Sequence, residues 1–182
     1  MRVITGSARG RKLKTLEGMD TRPTSDRVKE AVFSAIQFDL PGSVFLDLFA
    51  GSGQMGIEAL SRGAKQAVFN DLNPKAAQIV RDNLLATGFS RQARVLNLSL
   101  EGFLRTDKTL FDLAYLDPPY RSDLLLAALE GVTPRMKEGG KILCEHPVGA
   151  EMPQQVGDFS LLRQYRYGKI QVSLYGRKTE EE

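Results

Sequence analysis

Val44-Phe45-Leu46-Asp47-Leu48-Phe49-Ala50-Gly51-Ser52-Gly53-Gln54-Met55-Gly56 is the stretch that decides the fold. Its first half is an apolar run of the kind that makes a buried strand. It passes without a spacer into Gly51-Ser52-Gly53, and a helical pattern follows at Ile57, Ala59 and Leu60, with Gly63 placed just past the helix end. Strand, glycine turn and helix open an α/β unit, and the glycines let the backbone turn tightly and approach a cofactor closely. The spacing also satisfies G-x-G-x-x-G, so a dinucleotide site is one reading and a tight turn without a ligand another.

The flanking sequence repeats the alternation. On the N-terminal side, Val28, Ala31, Val32, Ala35 and Ile36 recur at helical spacing, with start signals in Pro23-Thr24-Ser25-Asp26 and an end at Pro41-Gly42. On the C-terminal side, strands are expected at 66–70, 94–98, up to Asp117 and at 141–145. Helices fall between them at 73–85, 100–105 and 124–129. Such alternation argues for a doubly wound, mainly parallel sheet. Two further strand-like runs, 160–166 and 169–175, turn at Tyr167-Gly168 and would close the sheet with an antiparallel hairpin. Residues 2–6 and 11–15 read as a short N-terminal β-hairpin around Ser7-Ala8-Arg9-Gly10. The expected divisions are a basic appendage at 1–22, a catalytic body at 23–178 and a frayed tail at 179–182.

A second segment carries chemistry. The run Phe111-Asp112-Leu113-Ala114-Tyr115-Leu116 ends in Asp117-Pro118-Pro119-Tyr120. Two prolines cannot continue a ladder, so the chain leaves the sheet there and holds a carboxylate and an aromatic ring in a stiff loop. That end of an open α/β sheet is where ligands bind. The pattern suits methylation of an exocyclic amine on a base, whose lone pair is delocalised into the ring. The Asp117 carboxylate and the Pro118 carbonyl would accept its two hydrogens, and Tyr120 would stack on the base. An ordinary strand-ending turn is the bland alternative.

Composition bounds the possibilities. The chain has 182 residues, 42% hydrophobic and 26% charged, ordinary values for one globular domain. No run is long enough to span a membrane, and Met1-Arg2-Val3 opens no signal peptide, so a cytoplasmic location is expected. One cysteine, Cys144, and one histidine, His146, are too few for a zinc site, and no metal is expected. The net charge is only +3, but residues 1–29 hold eight basic and three acidic side chains, a net of +5. The remaining 153 residues then sum to −2. A basic arm on a nearly neutral body is the footprint of a phosphate-backbone partner, with Arg9, Arg11, Lys12 and Arg22 as the candidate contacts.

Asp47-Leu48-Phe49-Ala50-Gly51-Ser52-Gly53 with Asp117-Pro118-Pro119-Tyr120 resembles the S-adenosylmethionine-dependent amino-methyltransferases. The N-terminal segments narrow this further: Met1-Arg2-Val3-Ile4-Thr5-Gly6, Arg9-Gly10-Arg11-Lys12-Leu13, and the block from Thr21-Arg22-Pro23-Thr24 to Phe33. They are similar to the bacterial small-subunit (16S) ribosomal RNA guanine-N2 methyltransferases, and the resemblance runs from Met1 to about Arg177. It implies a Rossmann-like methyltransferase sheet of seven strands. S-adenosylmethionine would be the cofactor, and 16S ribosomal RNA or a small-subunit particle the partner of a monomeric enzyme.

Site residues follow from the same resemblance. Gly51, Ser52 and Gly53 would pass under the methionine and ribose of the cofactor. Asp47 would orient the glycine loop or meet the cofactor ammonium through water. Asp71, ending the second strand, would accept the ribose hydroxyls, as it would in a dinucleotide enzyme. After the third strand, Asn97-Leu98-Ser99-Leu100 lacks the carboxylate that many relatives place against the adenine, leaving Ser99 for that contact. Arg22 would meet the cofactor carboxylate or an RNA phosphate. Asp117, Pro118 and Tyr120 would hold the target amine, with Asp117 accepting its proton. His146 either lines the substrate pocket or is a structural hydrogen-bonding residue. Methylation of adenine N6 in DNA or of a protein glutamine is the nearer alternative. A nicotinamide-dependent oxidoreductase and a non-enzymatic RNA-binding protein are the distant ones.

Overall fold

The structure, a computed structural model, describes residues 1–17, 24–119 and 123–180. Among them, five strands run parallel: β1 (Val44–Asp47), β2 (Gln66–Asn70), β3 (Ala93–Leu96), β4 (Phe111–Leu116) and β5 (Met136–Pro147). Three antiparallel strands complete the sheet: β6 (Gln155–Val156), β7 (Phe159–Tyr167) and β8 (Ile170–Gly176). The spatial order is β3-β2-β1-β4-β5-β8-β7-β6. From β1 the chain first builds outward through β2 and β3, then crosses back to lay β4 on the other side of β1. The C-terminal ends of β1 and β4 therefore flank the point where the winding reverses, the crevice in which open α/β sheets bind ligands.

Helices cover both faces. On one side lie α1 (Asp26–Ala35), α2 (Gln54–Ser61) and α3 (Pro74–Thr87), packed with Phe45, Phe69, Leu113 and Leu143. On the other lie α4 (Leu100–Thr106) and α5 (Leu124–Val132), with Leu46, Ala114, Ile142 and Cys144. Adjacent strand residues thus feed opposite cores, which is why the central strands read as continuous apolar runs rather than alternating ones. The helix starts match their signals: the Ser25 hydroxyl accepts from Val28 N–H and Asn73 accepts from Lys75 N–H.

The expected doubly wound sheet with its closing hairpin is present, with differences in detail. Among the described residues there are eight strands rather than seven, because the two-residue β6 adds to the edge at Gln155↔Ser160 and Val156↔Phe159. α1 ends at Ala35, well before Pro41-Gly42, and a turned segment with buried Leu40 fills the gap. β5 begins at Met136 rather than 141; its register against β4 shifts between Phe111 and Leu113, with Gly139 at φ +74°. The N-terminal hairpin makes one isolated bridge, Arg2↔Lys12, and forms no strands. Its own backbone bonds run from Val3 N–H to the Arg11 carbonyl at 2.9 Å, from Gly10 N–H to the Val3 carbonyl at 2.8 Å and from Leu13 N–H to the Met1 carbonyl at 3.0 Å; other groups turn to the body.

That arm is tied down by the body. Val3, Ala8 and Leu13 are buried in the α1–α3 core. The buried Glu58 carboxylate on α2 accepts from Ile4 N–H at 3.0 Å and Thr5 N–H at 3.1 Å. Ser61 Oγ accepts from Ala8 N–H and donates to the Thr5 carbonyl, while Ser7 N–H reaches the Ser61 carbonyl at 2.9 Å. Gly6, at φ +93°, lies so close that a Cβ would stand 1.9 Å from the Ser61 carbonyl oxygen. Lys29 on α1 is fully buried and donates to the Arg2 carbonyl at 2.9 Å and to Gln54 Oε1 at 3.4 Å. Burial holds its pKa below the usual lysine range, and the Glu58 charge opposes that shift.

Candidate functional site

The glycine turn is built by its neighbours. Gly51 and Gly53 adopt φ +56° and +82°, conformations that favour glycine strongly. Asp71, at the end of β2, accepts from Gly51 N–H at 2.8 Å through one oxygen and from Asn73 N–H at 2.9 Å through the other. Asp47, at the end of β1, accepts from Gly56 N–H at 3.0 Å. Asp47 is buried, and desolvation, reinforced by the Asp71 charge, raises its pKa from 3.8 to about 7. Asn83 on α3 donates to the Ser52 carbonyl at 2.9 Å, and Ser52 Oγ donates to Met1 Sδ at 3.3 Å. Among the described residues, nothing stands within 4 Å of where a Gly51 Cβ would be.

The second half of the site faces this turn. The register Asp47↔Tyr115 between β1 and β4 carries Asp117 just past the sheet end, beside the glycine turn. Asp117 is partly exposed and Pro118 is buried. Behind them, near the end of β5, sits Glu145, only 3% exposed. The Tyr115 hydroxyl donates to Glu145 Oε2, and the Thr24 hydroxyl is hydrogen-bonded to the same carboxylate. Asp117 is held well above the usual carboxylate range by burial first, then by the charges of Glu145 and Asp47. Burial likewise raises Glu145, against the lowering effect of the Tyr115 and Thr24 hydroxyls. A cavity of about 410 Å³ opens here, lined by Pro118, Pro119, Leu125, Leu126, Glu145 and His146 among others.

The structure thus brings Asp47, Gly51, Ser52, Gly53 and Asp71 together around one turn and sets Asp117 and Pro118 next to it. Ser99 is the N-cap of α4, its hydroxyl oxygen accepting from Gly102 N–H at 3.0 Å. His146 is 2% exposed and hydrogen-bonded, Nε2 to Ser173 Oγ at 2.7 Å and Nδ1 to the Pro147 carbonyl, as a structural histidine would be. Arg9, Arg11 and Lys12 are exposed on the arm. Tyr120 and Arg22 lie outside the described residues. Sequence reasoning missed Glu145, which follows Cys144 in an apolar strand; the signal was a carboxylate at the C-terminal end of a central strand.

The acidic character of the turn fits a cationic cofactor. Asp47 and Asp71 are carboxylates at the ends of adjacent strands; Asp71 suits the ribose of either cofactor, while Asp47 beside the glycine turn complements an ammonium or sulfonium better than a pyrophosphate. Fold and crevice together are those of the Rossmann-like methyltransferases. The chain belongs to the family described as "Conserved hypothetical protein 95", which it matches over residues 1–176.

It is 33% identical to ribosomal RNA small subunit methyltransferase D of Escherichia coli strain K12, over all of this chain and 92% of that protein. A Bacillus subtilis protein named as a candidate rRNA methyltransferase is 41% identical over 98% of this chain and 100% of its own length. Among solved structures, a Thermus protein of unassigned activity superposes with a TM-score of 0.81 at 33% identity, covering 96% of this chain and 98% of that one.

Proposed function

We propose that this protein transfers a methyl group from S-adenosylmethionine to the exocyclic N2 amine of a guanine in small-subunit (16S) ribosomal RNA. The observation that carries this is the placement of Asp117 and Pro118 beside the glycine turn, on the strand next to the one that enters it. When bound, the cofactor supplies an electrophilic methyl carbon on a sulfonium. Gly51, Ser52 and Gly53 would cradle it, Asp71 would take its ribose hydroxyls, and Ser99 would face the adenine. The relatives' names support an RNA substrate, and the basic arm supports a phosphate partner. The division into arm (1–22), catalytic body (23–178) and tail (179–182), action as a monomer and a cytoplasmic location belong to the same reading.

The protein's task is then mainly positioning. Aligned reactants in a dry pocket can contribute about 7–11 kcal/mol to lowering a barrier. The Asp117 carboxylate and Pro118 carbonyl would accept the two amine hydrogens and turn the nitrogen lone pair toward the methyl donor, with Tyr120 stacked on the base. The amine becomes acidic only as the carbon–nitrogen bond forms, and Asp117 accepts or relays that proton. The oxidoreductase alternative leaves Asp117-Pro118-Pro119 and the basic arm without a task.

The test is transfer of label from methyl-labelled S-adenosylmethionine to 16S RNA and small-subunit particles lacking the modification, with mass mapping of the product. A single N2-methylguanine is expected. Label on another nucleotide or on protein, or saturable binding of nicotinamide dinucleotides in place of S-adenosylmethionine, would overturn the reading.

A further inference from the structure

The cavity beside Asp117 holds a buried carboxylate that the amine does not need, Glu145, while Asp123 and Glu151 on its lining are exposed. Glu145 lines the same cavity as Pro118 and Pro119 and lies close enough to Asp117 for their charges to interact. It is 3% exposed, yet among the described residues no lysine, arginine or histidine forms an ion pair with it. Two neutral hydroxyls, Tyr115 and Thr24, hold the side chain in place. The adjacent imidazole of His146 is committed to Ser173 and Pro147. A buried carboxylate without a cation is costly, and it is retained where a ligand brings donors to it.

The amine-bearing bases differ at the atom beside the amine. Guanine presents N1–H next to its N2 amine, a row of donors; adenine and cytosine present a bare ring nitrogen there, an acceptor. We propose that Glu145 is the specificity-determining residue of this site, accepting N1–H of the target guanine while Asp117 accepts from its N2 amine. This deepens the guanine reading above and rests on it. Burial raises both carboxylates, and the Glu145 charge raises Asp117 further. Two donors arriving together are the counterpart that lets both carry charge. A base with an acceptor at N1 would point a lone pair at a carboxylate, a built-in repulsion against the wrong ligand.

The test uses the RNA substrate with its target guanine replaced by 2-aminopurine. That base keeps the same exocyclic amine but carries no hydrogen on N1. The wild-type protein is expected to favour guanine by at least about 100-fold in kcat/KM, since sites built to bond a donor reject analogues lacking it strongly. Glu145→Gln keeps an acceptor for the Tyr115 hydroxyl and offers N–H to a bare N1. Its guanine-to-2-aminopurine ratio should fall at least about tenfold. The ratio is internal to each preparation and does not depend on the folded fraction.

If Glu145→Gln transfers to neither base, the ratio is read from competition of the two RNAs for binding in the presence of demethylated cofactor. A ratio equal to wild type, or a wild-type protein that accepts both bases equally, overturns the role of Glu145 while leaving guanine methylation intact. A wild-type protein that methylates neither overturns the parent reading and this one with it.

Discussion

Replacing Gly56 by alanine tests how tightly the cofactor turn is set against the sheet. Gly56 sits in α2 with ordinary helical backbone, so a methyl group there brings no conformational strain of its own. Its Cβ would instead stand 2.3 Å from Cε1 and 2.6 Å from Cζ of Phe69, a fully buried ring on β2. Overpacking of a filled core costs about 1–3 kcal/mol, and alanine returns up to about 1 kcal/mol of helix propensity over glycine. An overlap this deep belongs at the upper end, so a net loss of about 2 kcal/mol is expected, or about 4–8 °C in Tm for a chain of this size. Because Gly56 N–H also fixes Asp47, the shifted helix should weaken S-adenosylmethionine binding several-fold.

The control is Phe69→Leu, which costs stability alone but opens space for the new methyl. Urea unfolding followed by circular dichroism gives all four corners of the cycle. The double variant should recover about 1–2 kcal/mol relative to the sum of the singles. Additivity within about 0.5 kcal/mol would refute the claim that this contact sets the position of the turn.

Three further outcomes are expected. Asp117→Ala should abolish methyl transfer while cofactor affinity by calorimetry stays within a few-fold; near-normal turnover on RNA would remove Asp117 from the chemistry. Replacing Arg9, Arg11 and Lys12 together by alanine should weaken RNA binding and lower the magnitude of its salt slope by about 0.7–0.9 for each phosphate no longer neutralised, with cofactor affinity unchanged; an identical slope would mean these side chains touch no phosphate. Asp47 has a folded pKa of about 7 against 3.8 ordinarily, so the folded state binds the extra proton between those values. Its contribution is therefore fully present below about pH 4 and is lost as pH rises toward 7. Asp47→Asn, which keeps an acceptor for Gly56 N–H, should gain on wild type across that window by at most about 1.4 kcal/mol per pH unit. Parallel stability profiles in urea melts from pH 5 to 8 would show that Asp47 is not desolvated.

What was legible in the sequence was local. The β1–turn–α2 unit, Asp71 at the end of β2 and the Asp117-Pro118 turn are each written in consecutive residues, and each lies where strand ends gather ligands. The pairing of distant groups was not legible. Lys29 counts in the sequence only as one of the basic residues of 1–29 and Glu58 stands out in no motif, yet both are fully buried, because the arm lays backbone donors and an acceptor on them. The arm pairs with itself only in part, through bonds such as Val3 N–H to the Arg11 carbonyl, because the N–H groups of Ile4, Thr5 and Ala8 are spent on α2 side chains. Nothing at residues 2–6 announces a partner more than fifty positions away. Glu145 was hidden by its setting, since the apolar run around it signals a strand and says nothing of a pocket reached from β4.

The docking of the arm also fixes the order in which this molecule can be completed. Its clasps join residues 4 and 5 to Glu58, residue 8 to Ser61 and residue 14 to Asn83, separations of 53 to 69 positions. The cradle does not exist until α2 and α3 have been made and packed, so the arm, synthesised before them, is placed after them. Closing so long a span is entropically costly and is recovered only when the whole set of bonds forms. Until then the chain carries a loose cationic leader. Every copy displays the same cradle, so at high concentration two half-finished molecules can seat each other's leaders, a swap that uses only native bonds. The strap that completes the fold is thus also the place where such an exchange would occur.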